Sequence, residues 1–509
     1  MESVERPPHS ILSGRRRTLA AFTLTFGNFM VILDLTIANV SVPHIAGELG
    51  ITLDQGTWII TSYAVAEAIC VPLTGWLSQR FGSVRLFIAG MIGFGLFSLL
   101  CGLSLSLGML VACRIGQGLC GAPLLPLSQA LTMRIYPPEQ RTAALGTWSM
   151  TVMAGPALGP ILGGLISDTV NWHWIFLINV PIAALLVASS LLVLRPVETP
   201  TATRPIDRVG IALLVFWITC LQIMLDIGRD RDWFGDPLIV ALAIGAAVGF
   251  CVFVIWELTE EHPVVDLSIF RYPSFAMTVA PFGLCYGVIF SVVVIAPQWL
   301  QSTLGFPAFL AGTVTAFQAV AGMIVSAFVA RMARLFNLRL LMAFGIFWLG
   351  VVSVFRALTW TTGSSYFDLA LPMFLSGLGI PLIAVPLATL SLSAVPADKL
   401  SSAAGLQTFV RTVALAISTS LAMTWWGNFQ RVSRNEIVSS LQPAEVQSTL
   451  ASRGFDLDQI RMFVAATVER EANTVGMNQV FLFTAALAVV AAVVVLFGPH
   501  PSGPRSDRH

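Results

Sequence analysis

The chain has 509 residues, 56% of them hydrophobic and 11% charged, against roughly 25% charged in an average soluble domain. That composition predicts an integral membrane protein, and the formal net charge of +1 excludes the basic bulk of a nucleic-acid binder. Cys70, Cys101, Cys113, Cys120, Cys220, Cys251 and Cys285 all fall in apolar segments without a C-x-x-C pair, so they read as small buried residues and not as disulfides or metal ligands.

A helix needs about twenty apolar residues to cross the hydrocarbon. On that template the sequence predicts fourteen spans: 18-44, 57-78, 85-104, 107-133, 142-166, 174-194, 208-226, 237-257, 274-301, 308-330, 339-358, 366-392, 402-427 and 478-498. The run after Arg15, Arg16 and Arg17 is too long for a cleaved signal, so it is read as the first span. The tails and even-numbered loops carry most of the arginines and Lys399, the only lysine, whereas the short loops between them hold Arg229, Arg231 and Arg356. Both termini are therefore expected in the cytoplasm. The long outer segment 428-477 is exempt from that count and reads as one or two amphipathic helices outside the membrane, either a structured linker or a contact for a partner protein.

Several chemistries are missing. The surroundings of Lys399, "SAVPADKLSS", are not a phosphate-binding G-x-x-x-x-G-K-[ST] loop, the six histidines include no i, i+4 pair, and G-x-S-x-G does not occur. The chain is accordingly read as no enzyme, with secondary transport or passive conduction remaining, and no cofactor or metal is expected.

Along the chain, "FMVILDLTIANV" places Asp34 in an apolar run, where a charge at mid-helix costs about 2.5 to 3.5 kcal/mol on insertion scales. Glu67 sits about midway along the second span. "GWLSQRFGSVRLF" follows in a tight turn, with Gly75 and Gly82 allowing close approach and reversal and Arg80 and Arg85 anchoring the turn at the inner leaflet. "RIGQGLCGAPLLP" buries Arg114, which needs a carboxylate, a polar cavity or backbone carbonyls as partner. In "GPALGPILGG", Gly155, Gly159 and Gly163 line one helix face for close packing, ahead of Gly164, while Pro156 and Pro160 favour a bend. Aromatic and polar side chains at membrane depth, among them Asn39, Gln117, Trp148, Phe317, Gln318 and Arg411, are candidates for a substrate cavity.

These motifs carry a resemblance. The turn resembles the G-x-L-a-D-r-x-G-r-k gate of the major facilitator superfamily, with Gln79 in place of the usual aspartate; Arg114 resembles the R-x-x-q-G element of its drug exporters, and "GPALGPILGG" its antiporter element. "LDLTIANVSVPHIAGELG", "NWHWIFLINVPI", "LQIMLDIGRDRDWF" and "WELTEEHPVVDLSIF" resemble its fourteen-helix drug:proton antiporter branch, and within it the EmrB-like subfamily. The resemblance implies an all-α membrane fold of two six-helix bundles, 18-194 and 274-498, with two inserted helices in 208-257 and cytoplasmic tails 1-17 and 499-509. It implies an inner-membrane antiporter that exports drugs, uncouplers or fatty acids, driven by the proton gradient, with a periplasmic adaptor and an outer-membrane channel as partners. Asp34 and Arg114 would couple the proton, and Glu67 either adds a second protonation site or pairs with Arg114. An exporter of one metabolite or siderophore would share these motifs, and a channel or membrane receptor is the competing class.

Overall fold

The computed structural model describes residues 12–497 except 203–204, 230, 280–281, 394, 441–449, 451 and 454. The tail expected at 499-509, and residues 1–11 of the one expected at 1-17, lie outside the described residues. All the extended elements described are helices. The first half comprises α1 (Gly14–Leu49), α2 (Leu53–Cys70), α3 (Thr74–Phe81), α4 (Ser83–Gly102), α5 (Leu107–Gly121), α6 (Leu124–Ile135), α7 (Pro138–Thr169), α8 (Trp174–Leu177) and α9 (Asn179–Val193). A pair follows, α10 (Arg208–Ile227) and α11 (Pro237–Thr259). The second half holds α12 (Pro273–Val279), α13 (Phe282–Ser302), α14 (Ala308–Leu335), α15 (Leu338–Thr359), α16 (Tyr366–Ser393), α17 (Leu400–Ser440) and α18 (Leu457–Phe497).

Among the described residues twelve helical stretches are long and apolar enough to cross a membrane, and α2 with α3, bent by 60°, makes a thirteenth. The remaining member of the expected fourteen, 274-301, contains 280–281 and so lies partly outside the described residues. Local chemistry explains the ends. Thr52 and Gln55 form a reciprocal capping box at the start of α2, Asp207 caps α10, Asp236 caps α11 ahead of Pro237, and Gly50 closes α1 in the left-handed region at φ 65°. Pro72 lies in the α2/α3 bend and Pro123 between α5 and α6, where each removes a backbone donor.

The two halves meet along two seams. On one, α7 runs against α14: an added Cβ on Gly146 would lie 2.9 Å from the Ser326 carbonyl, and one on Gly312 would lie 2.8 Å from Pro160 Cβ. On the other, α10 packs on α2 and α17, with Trp217 edge-on to Phe409 at 5.9 Å, the Ser420 hydroxyl donating to Leu225 O at 2.8 Å and Trp233 Nε1 to Thr424 at 3.1 Å. The inserted pair thus bridges both halves. One hydrophobic core joins Ala130, Met133 and Leu145 of the first half to Trp217, Leu382, Leu400 and Ala403. It closes the protein on the side where α1 begins.

One expectation is refined and one changes. The outer segment 428-477 is helical where described, as two helices that continue α17 and α18, each 41 residues long and well beyond the roughly twenty that cross a bilayer. Trp426 Nε1 donates to Asn473 O at 2.9 Å and Arg434 faces Glu469 at 3.7 Å, tying the two extensions together. Arg356 is not a loop charge. It is buried in α15, donating to Pro372 O at 3.2 Å beside Trp360 and Phe481, so it drops out of the orientation count.

The glycines of α7 face α1. A Cβ on Gly155 would lie 2.5 Å from Ile32 Cγ2, one on Gly159 would overlap the Thr36 hydroxyl, and one on Gly163 would lie 3.1 Å from Ile37 O. Gly164 looks instead toward Phe309 of α14, 3.9 Å away. Gly159→Val is expected to force α1 and α7 apart and cost about 1 to 3 kcal/mol, the usual price of overpacking. Denaturation of the purified protein in detergent measures it, and Gly108→Val, where nothing lies within 4 Å, is the control.

Candidate functional site

Asp34 and Arg114 form an ion pair, Nη1 to Oδ2 at 2.6 Å, with side chains 1% and 0% exposed. Taking two such charges out of water costs several kcal/mol per ion, which the pair offsets only if the remaining polar atoms are also satisfied. Asp34 Oδ1 accepts from Gln117 Nε2 at 3.0 Å and from Asn179 Nδ2 at 2.7 Å. Arg114 donates from Nη1 to Gln117 Oε1 at 2.7 Å and from Nε to Ile59 O at 3.2 Å. Its guanidinium lies 4.3 Å from the centre of the Tyr63 ring and 5.6 Å from that of Phe176, while Nη2 stays without a partner. Five helices therefore supply the cluster: α1, α2, α5, α8 and α9.

Gln117 stands one turn after Arg114, so i, i+3 spacing brings both amide and guanidinium to one face. It was expected in the substrate cavity and is instead wholly buried against Asp34. Trp148 is likewise packed away, donating to Ser128 at 2.9 Å. Asn39 is exposed on α1, on a face shared with Pro43 and Gly47. Phe317 is half-buried, edge-on to Tyr366 at 6.4 Å, and Gln318 beside it is half-buried with its carbonyl against Gly377. The six cavity candidates do not converge.

Glu67 pairs with neither arginine among the described residues; Arg114 belongs to Asp34. It is half-buried on α2, with Arg411 of α17 as its foremost electrostatic neighbour and Arg114 the next. Glu67 of the first half and Arg411 of the second are therefore electrostatic neighbours across the seam.

The turn motif closes the side on which α1 begins. Gly75 lies against Ser402 at the start of α17, so close that a Cβ there would fall 2.6 Å from the Ser402 Cα. Gln79 Nε2 donates to Ser402 Oγ at 3.2 Å, and Ser83 meets Ser401 at 3.2 Å. These cross-half contacts are neutral, as the missing aspartate at position 79 requires. Arg80 lies over Trp76 and Phe81 of its own turn, and Arg85 reaches Glu198 only at 4.0 Å in an exposed pair. Glu198, which had no role in the sequence reading, accepts from the backbone of Val84 at 2.8 Å and Arg85 at 2.9 Å, capping α4 where Gly82 takes φ 90°. Behind the turn lies a cavity of about 710 Å³, lined by Gln79, Ser83, Arg134, Glu257, Arg271 and Lys399 among others. Lys399 pairs with Asp266 at 2.9 Å on its wall. Burial there pushes the Asp266 carboxyl up, but hydrogen bonds from Ser268 and Lys399 outweigh it and hold the group below its usual range.

The family model described as Major Facilitator Superfamily matches residues 24–419. The chain belongs to that superfamily, among its EmrB-like members. It is 40% identical over 497 residues to the multidrug export protein EmrB of Escherichia coli strain K12, covering 97% of each chain. It is 35% identical over 508 residues to the fatty acid resistance protein FarB of Neisseria gonorrhoeae, covering 98% of each. Among solved structures it resembles the human organic anion transporter MFSD10, with a TM-score of 0.59 at 15% identity over 95% of this chain and 100% of that one, a likeness of fold alone. The EmrB-like fold thus accommodates the buried pair, the gate turn and the glycine face described above.

Removing one partner of a buried pair leaves an uncompensated charge, so Arg114→Gln is expected to destabilise the protein by about 3 to 5 kcal/mol. Adding Asp34→Asn to it should recover at least half of that loss. Denaturation of the purified single and double variants checks this; additive losses would show that the two groups are not coupled.

Proposed function

We propose that this EmrB-like protein is a multi-pass inner-membrane antiporter that exports lipophilic or amphipathic compounds, drugs, uncouplers and fatty acids among them, in exchange for protons. The observation that carries the reading is the Asp34–Arg114 pair with Gln117 and Asn179, buried where packing alone has no use for a charge. A buried ion pair is a poor device for stability and a good one for a switch, since adding one proton removes one of its two charges.

The cycle follows alternating access. With the side that bears the gate closed by Gly75, Gln79 and Ser402 and with Asn39, Pro43 and Gly47 of α1 uncovered, the arrangement is that of a transporter open to the outside, both termini being cytoplasmic. A proton entering from outside neutralises Asp34 and releases Arg114. The loosened first half then parts at the gate, where the polar contacts strand no charge when they break and the shared apolar core is what resists opening. Substrate binds from the cytoplasmic side as the proton leaves.

The substrate class follows from the names of the relatives, multidrug export and fatty acid resistance, and suits a path flanked by half-buried Phe317 and Gln318. At 1.5 Å per residue the extensions of α17, from 428 to 440, and of α18, from 457 to 477, reach about 20 Å and about 30 Å past the bilayer. We assign them as the contact for a periplasmic adaptor that continues to an outer-membrane channel.

Asp34→Asn is expected to abolish export driven by an imposed pH gradient while leaving membrane insertion unchanged. Proteoliposomes loaded with a lipophilic dye test it. Dye export at the wild-type rate, at equal protein, would remove Asp34 from the mechanism.

A further inference from the structure

We propose that Asn179 reads the protonation state of Asp34, its side-chain amide donating to the carboxylate and turning over to accept from the carboxylic acid. The inference rests on Asp34 being the proton site. In the ionised state both Asp34 oxygens are served: Oδ2 by Arg114 at 2.6 Å, Oδ1 by Gln117 at 3.0 Å and Asn179 at 2.7 Å. A proton added to the carboxylate forms an O–H bond, and that hydroxyl, buried at 1% exposure, then needs an acceptor.

Only one of the three donors can provide it. Guanidinium has no acceptor at all. Gln117 Oε1 is already taken, by Arg114 Nη1 at 2.7 Å and by the Cys101 thiol at 3.8 Å. Asn179 Oδ1 is buried and has no hydrogen-bond partner among the described residues. A half-turn about the Cβ–Cγ bond exchanges Oδ1 with Nδ2 and brings the vacant acceptor to the place from which Nδ2 now donates. No backbone movement is needed.

The other ionisable groups facing this point do not compete. Arg114 comes from α5, Tyr63 from α2 with Glu67 one turn beyond it, and Cys101 from α4; α9 supplies no charge. Tyr63 turns its ring to Arg114 and makes no hydrogen bond to Asp34.

Turning has a consequence for the fold. In the donating orientation Asn179 Nδ2 also gives a hydrogen to Ser98 Oγ at 3.1 Å, and Ser98 passes its own to Phe176 O at 2.8 Å. The half-turn ends that donation, and the single Ser98 hydrogen can then serve Asn179 Oδ1 or Phe176 O but not both, so one tie of α4, to α9 or to α8, is lost. Asn179 is the first residue of α9, directly after the break from α8, and Pro181 lacks the N–H that would bridge that break to Leu177. Protonation of Asp34 thereby loosens a helix joint.

Infrared pH-difference spectra of the purified full-length protein test this. The carboxylic C=O band present in wild type and missing in Asp34→Asn reports the site, and its midpoint is followed with pH. Asn179→Leu removes a hydrogen bond to a charge and a weaker one to a neutral acid, so the midpoint should rise by about one pH unit, tenfold in proton concentration, with the band displaced in frequency. Ser98→Ala removes what holds the amide in its donating orientation. It should raise the midpoint by about half a unit and leave the band frequency unchanged. Wild-type midpoint in Ser98→Ala overturns the proposal even if Asn179→Leu does not fold, as does a wild-type band and midpoint in Asn179→Leu. A titrating band that survives in Asp34→Asn instead overturns Asp34 as the proton site.

Discussion

A single charge pair in an apolar bundle constrains the first half of the molecule. Once Asp34 is buried on α1, Arg114 must come within bonding distance from α5, and each leftover hydrogen and lone pair must find a partner nearby. Gln117 of the same α5, Ile59 O and the Tyr63 ring of α2, and Asn179 of α9 meet that demand. The helices are therefore positioned around a polar point as much as around their apolar contacts. The pair is satisfied almost completely, and the exceptions, Arg114 Nη2 and Asn179 Oδ1, are where a change of protonation can act.

Much of this was legible in the sequence, and the reasons differ by residue. The crossings showed because apolar runs of bilayer length have no soluble alternative, and Asp34 and Arg114 showed because each is a lone charge in such a run. The glycines of α7 betrayed a close contact by their spacing, though not that the partner would be α1. Asn179 was in view within "NWHWIFLINVPI" yet carried no signal of its own, since asparagine at a helix start two residues before a proline is ordinary. Its role depends on Asp34 lying 145 positions away in the chain, which only the fold supplies. Glu198 was missed for the same reason, and the burial of Gln117 and Trp148 was not legible because residue type at membrane depth does not tell a cavity from a cluster.

The long outer segment was legible as helix but not as a continuation of the spans. Polar residues in 428-477 end the apolar run but not the helix, because helix formation asks only for continued backbone hydrogen bonding and tolerant side chains. The extensions of α17 and α18 support one another through Trp426, Gln430 and Glu469, so they need no bilayer around them.

The position of the pair on α1 also decides how it can act at a distance. Asp34 points into the first half, whereas Ile32, Thr36 and Ile37 present another side of the same helix to Gly155, Gly159 and Gly163 of α7. Those contacts are made by backbone and by short or branched side chains, with no long flexible group to absorb a shift. Thr36 even donates to Gly155 O at 3.2 Å. Beyond it, α7 is set against α14 of the second half in the same manner, Gly312 on Pro160 and Gly146 on Ser326. A displacement of α1 must therefore be taken up by α7 and then by α14, through two contacts that are stiff because they are made at glycine. Rearrangement at Asp34 can reach the second half of the protein by packing alone, without any polar path between the two.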